Sequence, residues 1–282
     1  MNNSKQMKFF KLILISTCIS LFVSKSFSQT KIMSFNIRYD TPNDNENWWE
    51  LRKDEVVEML KYYSPDFIGV QEALPKQLNF LANNLNNYNY IGHGRDGLGS
   101  NSEGVPIFYN SAKYMLLEKN IFWLSETPEK VSRGWDAALN RIVVHGVFKS
   151  KITNQIVNII NTHFDHMGKN ARFKSAELLI TYIRKNNLTH KKIVLMGDLN
   201  CLPAESPINL LDQEFKNSYT IKGHPVYGPV GTFNGFDTTK PVTKQIDYIF
   251  TKNIDVKKYR CIDDRRKNNL YPSDHFPILI EI

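Results

Sequence analysis

The chain has 282 residues, 41% of them hydrophobic and 23% charged, with a formal net charge of +8. That length holds one large core or two small ones. Three cysteines, one of them in an N-terminal apolar run, exclude a disulfide-stapled scaffold.

In chain order, Lys5, Lys8 and Lys11 precede an apolar run from Leu12 to Val23, followed by Ser26-Phe27-Ser28. A basic start, a short apolar stretch and small residues at −3 and −1 describe an export signal over residues 1–28. The run is short for a membrane span. A lipid anchor on Cys18 is the weaker reading, because Thr17 precedes it and apolar sequence continues after it. Loss of Lys5, Lys8, Lys11 and Lys25 leaves a mature chain of about +4, which suits an anionic substrate without selecting one. The expectation is therefore an exported protein, periplasmic or extracellular, without a stable membrane anchor and monomeric. Cys201 and Cys261 could form one bridge in an oxidising compartment, but both flank apolar, strand-like residues and are expected as buried free thiols.

Residues 29–282 carry no internal repeat and no long linker, and read as one domain. Strand-like runs are expected at Lys31–Ile37, Phe67–Val70, Val105–Tyr109, Tyr114–Trp123, Arg141–Phe148, Gln155–Asn161, Lys192–Met196, Gln245–Phe250, Val256–Ile262 and Phe276–Ile282. Helical spacing appears over Glu50–Tyr62 and Asn170–Asn186, and Pro75 opens a third helix over Pro75–Leu85. Ser206-Pro207 reads as a cap with Pro at the first helical position. Gly92 to Gly104 is the most loop-like stretch. Many strands and few helices predict two sheets packed face to face with helices outside, the first strand lying near the last.

Six of these apolar segments carry the same chemistry at an end. Lys31–Phe35 runs into Asn36; Phe67–Val70 into Gln71-Glu72; Val157–Thr162 into His163, Asp165 and His166; and Ile193–Met196 into Asp198 and Asn200. Asp247 opens the run Tyr248–Phe250, and Asp274-His275 precedes the last strand. One polar strand end is a turn. Six that carry acids, amides and imidazoles make a constellation suited to metal-assisted hydrolysis. A lone Glu beside an Asn offers the hard oxygen ligands Mg²⁺ prefers, and neither a thiolate cluster nor zinc-spaced histidines are present. A His beside an acid can activate or position water, and an amide can stabilise developing negative charge.

These motifs resemble the endonuclease/exonuclease/phosphatase superfamily, the DNase I-like proteins. The matching stretches, in order, are "SFNIR", "PDFIGVQE", "NTHFDH", "GDLN", "IDYIF" and "SDHFP". The resemblance implies an α/β fold, a four-layer αββα sandwich of two mainly antiparallel sheets. It implies Glu72 as a Mg²⁺ ligand, Mn²⁺ being able to substitute, with Asn36 and Asp274 as further ligands or neighbours of the ion. It implies Asp198 as the group that orients or deprotonates water, Asn200 and His275 as holders of the phosphate, Asp247 as the partner of the His275 ring, and His163 near the phosphate or leaving group. Asp165 stays open between a substrate contact and a loop residue, as does His166.

Outside the motifs, Trp135 could stack on a base or sugar, or pack within its loop. Arg141 could reach a phosphate or pair with Asp136, and Glu103 could line the site or be a solvated acid. The loop from Trp123 to Arg141 has two exposed-looking Trp, and Asp263–Lys267 reads as a solvated turn. Tyr39-Asp40, "NWWELRKDEVVEML" and "GWDAALNR" resemble a bacterial branch near the CCR4-type exonucleases. That tilts the expected substrate to a phosphodiester of single-stranded nucleic acid cut from the 3′ end. The rivals are a sphingomyelinase-type phospholipase C, a sugar- or inositol-phosphate phosphatase, and a non-catalytic binding module on the same fold.

Overall fold

A computed structural model describes residues 29–282; the expected export signal lies outside the described residues. Its elements in order are β1 (Lys31–Asn36), α1 (Trp49–Tyr63), β2 (Phe67–Gln71), α2 (Pro75–Asn84), β3 (Tyr88–Ile91), β4 (Ile107–Asn110), β5 (Tyr114–Trp123), β6 (Ile142–Ser150) and β7 (Ile156–His163). There follow α3 (Lys169–Lys185), β8 (Ile193–Asp198), α4 (Ser206–Glu214), β9 (Lys216–Asn217), β10 (Val226–Tyr227), β11 (Asp247–Lys252), β12 (Lys258–Cys261) and β13 (Ile278–Glu281).

The strands form two sheets, ordered β10-β12-β13-β1-β2-β4-β3 and β5-β6-β7-β8-β11-β9. Most neighbours are antiparallel; β1–β2, β7–β8 and β10–β12 are parallel. The first and last strands pair directly, with Lys31 opposite Glu281. β1 and β8 face each other across the sandwich. The inter-sheet core takes Ile32, Phe67, Ile107, Phe148, Ile159, Val194, Met196, Ile249, Ile278 and Ile280. A second apolar layer joins the outer face of one sheet to α1 and α2 through Met33, Phe35, Val56, Leu60, Val70 and Leu81. A third joins the other sheet to α3 and α4 through Ile193, Leu195, Leu179, Ile183, Ile208 and Leu211. Helices thus cover both outer faces, giving four layers. Because the central strands are buried on both faces, they read as continuous apolar runs rather than alternating ones.

Side chains alternate across a strand, so residues two apart share a face. Ile32, Ser34 and Asn36 therefore lie on the inward face of β1, and Val194, Met196 and Asp198 on that of β8. The same period places Ile159, Asn161 and His163 in line on β7, and Phe67, Gly69 and Gln71 on β2. Each inward row starts apolar and ends polar. Between the two zones lies a buried polar layer. Asn161 Nδ2 donates to the carbonyls of Val70, Val105 and Pro106 at 2.9, 3.1 and 3.0 Å, and Gln71 Nε2 donates to Asn161 Oδ1 at 2.7 Å. Gly69 lets the sheets meet here: a Cβ at this position would lie 2.6 Å from Met196 Cε and 2.8 Å from Asn161 Oδ1.

Several sequence expectations shift. α4 begins at Ser206, so Glu205 rather than Ser206 holds the cap position, and no side chain caps it. The short strands β3, β9 and β10 were not anticipated; they carry too few residues or too exposed a face to give a periodic signal. The Asp263–Lys267 segment is not wholly solvated: Arg266 is buried, pairs with Glu55 at 2.9 Å and donates to the carbonyls of Glu46 and Leu51. Trp123 is likewise buried, its indole N–H donating to Arg95 O at 2.6 Å. Cys201 and Cys261 are free and buried on opposite sides of one sheet. Among the described residues no helix is long and apolar enough to cross a membrane.

Candidate active site

The polar strand ends converge at one edge of the sandwich. Parallel pairing brings the C-terminal ends of β1 and β2 together, and likewise β7 and β8, where His163 lies opposite Asp198. β11 runs antiparallel to β8, so its first residue, Asp247, is also opposite Asp198. The segment before β13 returns to the same edge with Ser273, Asp274 and His275, and Ser273 Oγ ties it to β1 by donating to Asn36 O at 2.7 Å. In β8, Gly197 is required because a Cβ there would meet Thr162 O at 1.9 Å.

Asn36 joins the acids. Its Oδ1 accepts the Arg38 backbone N–H at 2.9 Å, which turns Nδ2 toward Glu72 Oε1 and Asp198 Oδ2, both at 3.0 Å. The side chain is therefore a donor between two carboxylates. Glu72 sits at φ +62°, a region a non-glycine residue rarely adopts, and its Oε2 accepts the Tyr39 N–H at 3.0 Å. Asn200 takes φ +48°, where Asn is better tolerated; its N–H caps Asp198 Oδ1 at 3.0 Å and its Nδ2 donates to Phe164 O at 3.1 Å.

Two imidazoles flank Asp198. His275 Nδ1 lies 2.9 Å from Asp247 Oδ2, and its Nε2 lies 3.7 Å from Asp198 Oδ2. Burial pulls this imidazole down, but the charges of Asp247 and Asp198 outweigh it and raise it well above its usual value. His163 Nε2 lies 3.4 Å from Asp198 Oδ2 and 3.0 Å from Asn200 Nδ2. Burial, then the Arg141 charge, push His163 well below its usual value, so it is neutral. Burial, then Asp247, raise the Asp198 carboxyl to about 7 against the lowering by His275. One neutral and one charged imidazole thus border a carboxyl poised near neutral pH, the state a general base needs.

These groups open into a cleft of about 480 Å³ lined also by Arg38, Tyr39, Glu103, Arg141, His166, Phe233, Lys244 and Asp274. Arg38, Phe233 and Lys244 were not singled out from sequence; Arg38 lies inside "SFNIR", and its guanidinium is held by Asp44 at 3.0 Å and lies 3.9 Å from Asp274. Glu103 lines the cleft and is held by Arg95 at 2.8 and 2.9 Å. Two expected substrate contacts lie elsewhere. Asp165 accepts the N–H groups of Met167 and Gly168 at 2.9 and 2.8 Å and pairs with Arg141 at 3.4 Å; burial would raise it, yet those backbone N–H groups hold it at about 2. Trp135 does not line the cleft; its backbone N–H bonds the Glu126 carboxylate. Arg141 pairs with Asp165 rather than Asp136, because Asp136 accepts from Asn170 and Ala171 at the start of α3.

The donor set fits a hard divalent cation. Ligand atoms of Glu72, His163 and Asp198 lie within 4.8 Å of one another, as do those of Asp198, Asp247 and His275. Glu72 and Asp198 supply carboxylate oxygens at one corner of the cleft, with Asp274 on its wall.

The model of the Endonuclease/Exonuclease/phosphatase family matches residues 33–275. A mannosyl-6-phosphatase of Bacteroides thetaiotaomicron is 34% identical, with TM-score 0.85 over 90% of this chain and 99% of that one. An endonuclease/exonuclease/phosphatase of Bacteroides vulgatus is 35% identical, with TM-score 0.84 over 90% and 98%. The Ccr4 3′-5′-exoribonuclease subunit of Mycosarcoma maydis is 22% identical over 89% of this chain and 50% of its own length. The family match over residues 33–275, with the shared fold, shows that the chain belongs to the endonuclease/exonuclease/phosphatase family, a superfamily of phosphoester hydrolases.

Proposed function

We propose that this chain is a Mg²⁺-dependent hydrolase that removes the phosphate from a sugar phosphate monoester outside the cytoplasm, acting as a monomer. The observation that carries the reaction class is the convergence on Asp198 of Asn36, His163 and the Asp247-held His275, with Glu72 on the far side of Asn36. Glu72, with Asp198 and Asp274 nearby, would hold the ion. When bound, the ion supplies charge neutralisation at a phosphoryl oxygen. The protein's own residues do the rest. Asp198 takes a proton from water as the water oxygen bonds to phosphorus. The ester P–O bond breaks, and the leaving oxygen gains a proton from solvent or a cleft group. The His275 imidazolium, held by Asp247, donates to the phosphoryl group, and Asn36 keeps Glu72 and Asp198 together.

The cleft's volume of about 480 Å³ suits a small monoester. The likeness to a mannosyl-6-phosphatase points the same way. A second reading, a 3′-5′ exonuclease of single-stranded nucleic acid, draws on the likeness to the Ccr4 subunit and on the exposed Lys244 beside the cleft. The purified protein with Mg²⁺ or Mn²⁺ should release phosphate from a hexose 6-phosphate. EDTA and Asp198→Ala should each abolish release. Turnover of a labelled single-stranded RNA or DNA instead would replace this reading with the second, and turnover of sphingomyelin alone would replace both.

A further inference from the structure

Arg141 is 4% exposed and lines the cleft, yet it is not fully partnered. A guanidinium has five N–H donors. Nε donates to Asp165 Oδ2 at 3.4 Å and Nη2 to His166 Nδ1 at 3.0 Å, while Nη1 has no partner among the described residues. Because a guanidinium cannot accept, His166 Nδ1 must. That fixes the neutral tautomer with its proton on Nε2. Nε2 also has no partner among the described residues, and the exposed ring lines the cleft. On the same wall Glu103 and Arg141 border Glu72. Each Glu103 oxygen accepts one N–H from Arg95 and keeps a further lone pair.

Two donors and an acceptor therefore stand side by side next to the reacting centre, and none of them is needed for the proton transfer. Hydroxyl groups fit this set, since each accepts and donates once. A second phosphate would face the Glu103 carboxylate and is disfavoured. We infer that Glu103, Arg141 and His166 form the leaving-group subsite, binding neighbouring hydroxyls of the sugar whose phosphate is removed. This inference rests on the sugar-phosphate reading above and assigns its specificity to one wall.

The test compares a hexose 6-phosphate with 4-nitrophenyl phosphate, which carries no hydroxyls, using the full chain with Mg²⁺. His166→Ala should lower kcat/KM for the hexose phosphate about 10- to 100-fold, mostly through KM, and change the aryl ester by less than about threefold. His166→Gln, which keeps an N–H in reach, should recover part of the loss, and Glu103→Gln should repeat the selective effect. His166 is exposed, so its variants keep the fold even if the Glu103 variant does not. Equal losses on both substrates, or no loss on the hexose phosphate, overturn the subsite. Failure of the unmutated protein to hydrolyse the hexose phosphate overturns the functional reading, and the subsite with it.

Discussion

Burial and Asp247 keep the Asp198 carboxyl at about 7, against 3.8 for an ordinary aspartate. Between those values the folded chain holds a proton that the unfolded chain has released, so this group's contribution to stability falls as pH rises through that window. Asp198→Asn should therefore abolish hydrolysis and yet, in EDTA, melt higher than the unmutated protein at pH 8. The gap should close toward pH 5; calorimetry at both pH values checks it. Asp165 has the opposite sign. Its folded value of about 2 lies below the ordinary 3.8, so its stabilisation is present above 3.8 and lost as pH falls toward 2. The shift corresponds to about 2 kcal/mol, and urea titrations should show Asp165→Ala losing at least that much at pH 7 and little near pH 2. Glu72 carries a backbone cost at φ +62°. Glu72→Gly should be more stable than Glu72→Ala by about 1 kcal/mol in chemical denaturation, though both lose activity.

At the scale of elements, the site depends on the polar layer below it. Asn161 on β7 ties the carbonyls of Val70 on β2 and of Val105 and Pro106 just before β4, and accepts from Gln71, the residue before Glu72. Asn161→Ala strands those groups in a dry interface, a loss of about 2–4 kcal/mol by urea unfolding. Activity should fall as well, because the β2 end that carries Glu72 loses its tie to β7. Arg52 does comparable work on α1. Fully buried, its guanidinium donates to the carbonyls of Asn47, Ile37, Arg38 and Pro272, holding the exit of β1 against the segment that leads to Asp274 and His275.

For the whole molecule, the carboxylates gathered at one edge are a liability without a cation. Asp198 and Asp247 already oppose one another. Saturating Mg²⁺ should raise the melting temperature, by the equivalent of about 2.7 kcal/mol at a hundred times Kd. EDTA should remove the gain, and Glu72→Ala should be indifferent to either.

The sequence by itself determined which polar side chains gather at the candidate site. Asn36, Glu72, His163, Asp198, Asn200, Asp247 and His275 were legible because each sits where an apolar run meets a turn, and that contrast is local. The doubly buried central strands, α1 and α3 were legible for the same reason. The tertiary structure alone decided what depends on residues distant in the chain. It placed Arg38, Phe233 and Lys244 on the cleft wall and gave Asp165 to the start of α3. It buried Trp123 and Arg266, and it set the charge states of His163 and His275. A hydrogen-bond partner or a neighbouring charge across the sandwich leaves no periodic trace in sequence, and those partners decide whether a polar residue serves the scaffold or the site.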